Sequence, residues 1–88
     1  MARLNHTARE LNEGPTATSG DALFQLGLMY CSGRDVRVDL VAAHKWFNLA
    51  AMRGSTAAKR YRVELAAEMT KAEVARAQKQ AREWLTRH

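Results

Sequence analysis

Small and aromatic residues recur at helical intervals between residues 22 and 58, and this spacing constrains the fold more than any other feature of the chain. Apolar positions fall three or four residues apart, as they do in the buried stripe of a helix. Two glycines stand where helices would end. The pattern comprises Ala22, Leu26, Gly27, Tyr30, Gly33, Val36, Asp39, Ala43, Trp46, Phe47, Ala50, Ala51, Gly54 and Ala58. It predicts a helix-turn-helix unit that stacks against a similar unit, and therefore indicates binding rather than chemistry.

The size and composition of the chain limit what it can be. Its 88 residues allow one small domain with a modest core. The single cysteine, Cys31, excludes an internal disulfide framework and fits a reducing compartment. No run of about 18 apolar residues is present, and the first residues lack the apolar stretch of a signal peptide. We therefore expect a cytoplasmic protein.

Capping residues and hydrophobic spacing predict four helices after a less regular start. Residues 1–18 are expected to be flexible or weakly helical, because Leu4, Ala8 and Leu11 permit a short amphipathic helix that Gly14-Pro15 would end. Helices are then expected over 21–31, 40–53, 56–69 and from a capping box at 70–73 to residue 84 or 85. The N-caps predicted for the first three are Ser19 or Asp21, Asp39, and Ser55.

The predicted helices carry distinct faces. Helix 21–31 is apolar almost all the way round, which is typical of a helix buried on more than one side. Gly27 should let the first two helices approach closely, and Ala43, Trp46, Phe47 and Ala50 should form the core stripe of the second. In helix 40–53, the side chains expected to face water are Lys45 and Asn48. In the last helix the stripe expected to be buried contains Val74, Ala77, Ala81 and Trp84 or Leu85.

The fourteen spaced positions resemble the Sel1-like repeat, a relative of the tetratricopeptide repeat. One position departs from the family pattern, because the second glycine of the turn is Asp35. Asp tolerates a left-handed conformation better than most residues, so the turn should survive. The resemblance implies an all-α fold in which antiparallel helices stack into a superhelix, and it implies a protein-interaction scaffold without catalytic residues.

The resemblance covers one repeat only. A second repeat would need Leu-Gly at 62–63 and Tyr at 66, where the chain has Arg62, Val63 and Ala66. Residues 59–88 resemble instead the helical cap of short bacterial members. We therefore divide the chain into 1–18 and 19–88, the latter comprising the repeat at 22–58 and the cap at 59–88. Stacks usually need about three repeats, so the open side of the first helix should require a cover.

The sequence offers two candidate binding surfaces, one apolar and one basic. Phe24 and Leu28, with Met29 nearby, form a second apolar stripe on the first helix, where the resemblance places the concave binding face. This stripe could bind a protein partner or a second copy, or Leu4 and Leu11 could fold back over it. The alternative is binding of nucleic acid or another anionic surface, since residues 53–88 hold nine basic and four acidic residues. The side chains of that alternative are Arg60, Arg62, Arg76, Lys79, Arg82 and Arg87.

No residue of the sequence indicates catalysis or metal binding. The three histidines, His6, His44 and His88, have no carboxylate pair or second cysteine at metal-ligand spacing. Cys31 has no adjacent basic residue that would favour its thiolate. We expect no catalytic residue, no metal and no cofactor, and we favour the protein-binding function over the nucleic-acid alternative.

Overall fold

The computed structural model describes residues 19–87, which form four α-helices. They are α1 (Gly20–Ser32), α2 (Leu40–Met52), α3 (Thr56–Ala66) and α4 (Lys71–Arg87), and no strand occurs in this part of the chain. The predicted all-α helix-turn-helix fold is confirmed. The predictions for residues 1–18, including the short helix that could fold back, lie outside the described residues.

The starts of the helices follow from local side-chain chemistry. The side chains of Ser19, Asp39 and Ser55 each accept the backbone N–H three residues further on, at 3.0–3.1 Å. In the capping box, Thr70 N–H donates to Glu73 Oε1 at 2.8 Å and Glu73 N–H donates to Thr70 Oγ1 at 3.1 Å. All four predicted helix starts are therefore confirmed, with Ser19 rather than Asp21 as the first cap.

The turn between α1 and α2 needs two left-handed residues. Gly33 has φ 79° and ends α1, its N–H donating to the carbonyl of Met29 at 2.9 Å. Asp35 has φ 66° and is the only non-glycine with positive φ among residues 19–87. The prediction that Asp would serve in place of the second glycine is confirmed.

Helices α1 and α2 pack antiparallel at very short range. The buried line of α1 is Gly20, Leu23 and Gly27, which runs between the two apolar stripes expected from the sequence. A methyl group on Gly27 would overlap the ring of Phe47, so only glycine fits there. At the other end, Gly20 lies against the backbone of α2 near Ala50. The close approach predicted for Gly27 is confirmed.

Helix α2 is the centre of the molecule, because α1, α3 and α4 all pack against it. On its surface, Ala43, Phe47 and Ala50 are completely buried. From α4, Ala77 and Ala81 are buried, and Trp84 meets Trp46 edge to face with ring centroids 5.9 Å apart. The remaining buried core residues are Leu23, Leu49, Ala51, Ala58 and Leu65.

Two sequence predictions need correction. Helix α3 ends at Ala66 rather than at residue 69, because the N–H groups of Glu68 and Met69 bond three residues back and tighten the chain into a turn before Thr70. Lys45 and Asn48 do not simply face water: both are half-buried. Lys45 lies over the ring of the neighbouring Trp46, and Asn48 accepts a hydrogen bond from Arg62 on α3.

Candidate interaction surfaces

The three residues predicted for partner binding do not form one continuous stripe. Phe24 and Leu28 lie one turn apart on α1, about 40° from each other around the helix, whereas Met29 lies about 140° from Phe24. All three are half-buried. Phe24 and Leu28 pack against the buried core. The structure therefore brings Phe24 and Leu28 together and leaves Met29 on a separate flank.

Phe24 joins a cluster of three aromatic rings that links α1, α2 and α3. Its ring centroid lies 5.7 Å from that of Phe47 and 5.2 Å from that of Tyr61, the latter edge to face. The rings of Phe47 and Tyr61 are 5.5 Å apart. Such pairs contribute about 0.5–1.5 kcal/mol each beyond their buried area. Much of the Phe24 ring is thus used for holding α3 against α1 and α2.

An apolar crevice opens beside this cluster, between the C-terminal half of α1 and helix α3. It has a volume of about 180 Å³. Cys31, Phe47, Tyr61 and Leu65 supply its apolar lining, and the exposed carboxylates of Glu64 and Glu68 stand at its rim. We call this the α1–α3 crevice. It is an apolar surface edged with negative charge, although residues 53–88 as a whole carry a net positive charge.

The six basic residues of the alternative hypothesis are divided among three places. Arg60 lies with its guanidinium carbon 5.9 Å from the ring centre of Tyr61. Arg62 points about 160° away from it around α3 and donates from its Nη1 to Asn48 Oδ1 at 2.7 Å. Only the α4 side chains share an outward face: Arg76, Lys79, Arg82 and Arg87, all exposed. The structure does not assemble the six into one patch.

Helices α2 and α4 border a shallow cleft lined by polar and aromatic side chains. Lys45 lies over the ring of Trp46, with Nζ 4.1 Å from the ring centre. Burial lowers the pKa of Lys45, and the carboxylate of Asp39 partly opposes that change. The cleft beside it has a volume of about 290 Å³ and is lined by Lys45, Gln80, Glu83, Trp84 and Arg87. Glu83 in this lining offsets part of the positive charge.

A larger groove lies between α3 and α4, with α2 as its floor. Its volume is about 460 Å³. The lining comes from all three helices: His44, Asn48, Arg62, Val63, Ala66, Val74 and Gln78. We call this the α3–α4 groove. The sequence placed His44 beside the core stripe, but it gave no sign that His44 and Arg62, 18 positions apart in the chain, line one groove.

The described residues contain no cluster of potential metal ligands. In residues 19–87, no three or more His, Cys, Asp or Glu side chains lie close enough together to hold a metal ion. Cys31 is a half-buried free thiol in the α1–α3 crevice. His6 and His88 lie outside the described part of the chain. No helix over residues 19–87 is long and apolar enough to cross a lipid bilayer.

Comparison with known families gives one match. The family model of the Sel1 repeat matches residues 20–55, which run from the first residue of α1 to the N-cap of α3. The match thus covers the antiparallel pair α1 and α2 with its turn. No curated protein and no solved structure matches the chain significantly.

Proposed function

We propose that this chain is a non-catalytic interaction module that binds a protein partner through the face of α1. The match of the Sel1 repeat model to residues 20–55 supports this, because Sel1 repeats generally mediate contacts between proteins without catalysis. In the cell it would act as an adaptor or a small accessory subunit. On sequence grounds we place it in the cytoplasm, as a short bacterial member of the family.

The observation that carries this proposal is the apolar α1–α3 crevice, whose lining residue Cys31 lies one turn from Leu28 along α1. Burial of apolar surface drives most protein association, and apolar depressions are where anchoring side chains insert. Leu28 and Cys31 lie one turn apart on α1 and are both half-buried. The crevice continues this surface to Tyr61 and Leu65. We therefore extend the proposed site from Phe24 and Leu28 toward Cys31 and the crevice, and leave Met29 outside it.

The rim of the crevice suggests the chemistry of the partner. Glu64 lies on the outer side of α3 and Glu68 in the turn that follows it, and no cation pairs with either of them within the described residues. Opposite charge at the edge of an interface speeds association and selects partners. We propose a partner segment that inserts an apolar side chain into the crevice and places Lys or Arg beside the two carboxylates.

The test compares two matched substitutions on α1. Leu28→Asp places a charge in the proposed contact, whereas Gln25→Asp places the same charge at an exposed position of the same helix. Tagged full-length protein is used to capture partners from extracts of its own cells, with quantitation by mass spectrometry. We expect Leu28→Asp to lower recovery of the partner at least about tenfold and Gln25→Asp to leave it unchanged. Equal recovery with all three proteins would contradict the proposal.

A loss of capture could also result from unfolding, so the fold of Leu28→Asp is measured and a second variant is tested. Leu28 packs against the core, so far-ultraviolet circular dichroism must show that Leu28→Asp keeps its helices. Glu68→Lys changes only an exposed residue at the crevice rim and should weaken capture several-fold through charge repulsion. Light scattering on the pure protein identifies the case in which the partner is a second copy. Full capture by a folded Leu28→Asp and by Glu68→Lys would exclude the α1 face.

A further inference from the structure

The floor of the α3–α4 groove includes a histidine, His44, that is itself almost fully buried. His44 is only 2% exposed, and its Nδ1 has no hydrogen-bond partner among the described residues. Buried polar atoms nearly always have a partner. Burial, and to a lesser extent the positive charge of Arg62, lower the pKa of His44, so the imidazole is neutral at neutral pH. A neutral imidazole can both donate and accept a hydrogen bond.

Arg62 brings a positive charge to the same groove without a carboxylate to match it. Its Nη1 donates to Asn48 Oδ1, and no acidic side chain pairs with it within residues 19–87. A guanidinium has five N–H donors, so most of them are left for other acceptors. Because the hydrogen bond uses the oxygen of Asn48, the NH₂ group of that amide is also left to donate. The amide of Gln78 adds a further donor from α4.

Apolar side chains form the rest of the groove. Val63 on α3 is 65% exposed, which is high for a large aliphatic residue in a helix that packs on a core. Ala66 continues the apolar wall on α3, and the half-buried Val74 faces it from α4. The groove therefore combines hydrogen-bond donors and one full positive charge at its floor with aliphatic walls.

From this combination we propose that the α3–α4 groove binds a peptide carboxylate together with an adjacent aliphatic side chain. Arg62 and the Asn48 amide hydrogen-bond the carboxylate oxygens, and the aliphatic side chain rests between Val63 and Val74. The buried His44 lies beneath them in the lining of the groove. The carboxylate is either a chain terminus or a Glu or Asp side chain. This site lies on the α3–α4 side of the molecule, so it is independent of the proposed contact through α1.

The groove suits a carboxylate better than a nucleic acid. A phosphate backbone is bound by several cations along a strand, and bases are bound by stacking on aromatic rings. The groove has one lining cation, Arg62, and no aromatic ring apart from the buried imidazole of His44. Arginine recognises carboxylates well because its planar N–H groups match the two oxygens.

The test follows the imidazole resonances of His44 in the ¹⁵N-labelled full-length protein by nuclear magnetic resonance. They are identified by their absence from the spectrum of His44→Gln. Three probes are titrated: acetyl-Ala-Leu with a free C-terminus, acetyl-Leu-Glu-amide, and the neutral acetyl-Leu-Gln-amide. We expect a saturable shift with one or both acidic probes, with a Kd on the order of 1 mM for such small ligands. The first two probes distinguish a terminal from a side-chain carboxylate.

Two variants, each lacking one positive charge, test whether the probe binds in the groove or is attracted by the overall charge of the protein. Arg62→Gln should raise the Kd of the acidic probe at least about tenfold. Lys79→Gln, on the exposed face of α4, should change that Kd less than about twofold. The proposal is overturned if no probe gives a saturable shift, if the neutral probe shifts His44 equally, or if both variants weaken binding alike. The last result would indicate attraction by overall charge, as for nucleic acid. None of these variants touches the α1 face, so the two proposals fail separately.

Discussion

Asp35 is a residue whose backbone conformation could be predicted from the sequence alone. The family pattern asks for glycine at this position, and the sequence predicts that Asp can replace it. The backbone at Asp35 is left-handed, with φ 66°. For most L-residues this conformation costs about 1–2 kcal/mol, and a branched side chain pays the most. Turn chemistry is local, and this is why it could be predicted.

This conformation predicts a distinct order of stabilities at residue 35. Asp35→Val should lower the free energy of unfolding by about 1–2 kcal/mol, since a β-branched residue fits the left-handed region badly. Asp35→Gly should be no less stable than the parent. Arg34→Val is the matched control, because Arg34 is exposed and has negative φ. Urea unfolding of the four proteins gives the comparison. Equal losses from Asp35→Val and Arg34→Val would show that the left-handed backbone is not the cause.

Lys45 and Asn48 show where residue-level prediction fails. Helical spacing placed both on the outer side of α2. Yet Lys45 lies against the ring of Trp46, and Asn48 accepts a hydrogen bond from Arg62, fourteen residues later in the chain. The partner of Asn48 comes from another helix, and no periodicity within α2 reveals where α3 will lie. The composition of the α3–α4 groove depends on that long-range placement.

Among the helices, the closest pair is α1 and α2, and glycine makes that distance possible. Gly27 was expected to allow close approach, and the structure shows that Phe47 fills the space where a side chain would be. Leu23, which is 1% exposed on the same line of α1, did not stand out in the sequence. Because α1 is apolar nearly all round, its sequence does not reveal which stripe faces α2.

A double-mutant cycle tests this contact. Gly27→Ala should lower the free energy of unfolding by about 1–3 kcal/mol, because overpacking against Phe47 outweighs the better helix propensity of Ala. In the background of Phe47→Leu, the same change should cost at least about 1 kcal/mol less, since the smaller side chain leaves room for the methyl group. Additive effects in urea unfolding would mean that the two positions do not meet.

At the scale of the whole molecule, the shared contact with α2 predicts a single unfolding unit. The two tryptophans of the chain, Trp46 and Trp84, meet where α4 packs on α2. Their fluorescence therefore reports the docking of α4, while far-ultraviolet circular dichroism reports all the helices. We expect the two signals to give urea midpoints within about 0.2 M of each other, as two-state unfolding requires. An earlier fluorescence transition would show instead that α4 detaches first. Trp84→Phe isolates the signal of Trp46.

The fold as a whole was easier to predict than the surfaces it carries. The repeat pattern and the caps predicted four helices and their starting residues, because both depend on residues close together in the chain. The α1–α3 crevice and the α3–α4 groove each combine residues from two or three helices. Glu68 and Cys31, for example, have no relation in the sequence that would place them beside one apolar depression.

The central position of α2 also has a consequence for synthesis on the ribosome. Helix α1 is made before α2 and can pair with it at once, but the side of α2 that carries Trp46 has no cover until α4 has been made. The apolar surface of α2 that α4 covers is therefore the last part of the core to be closed. A chaperone that meets the chain before α4 has docked would therefore bind this side of α2.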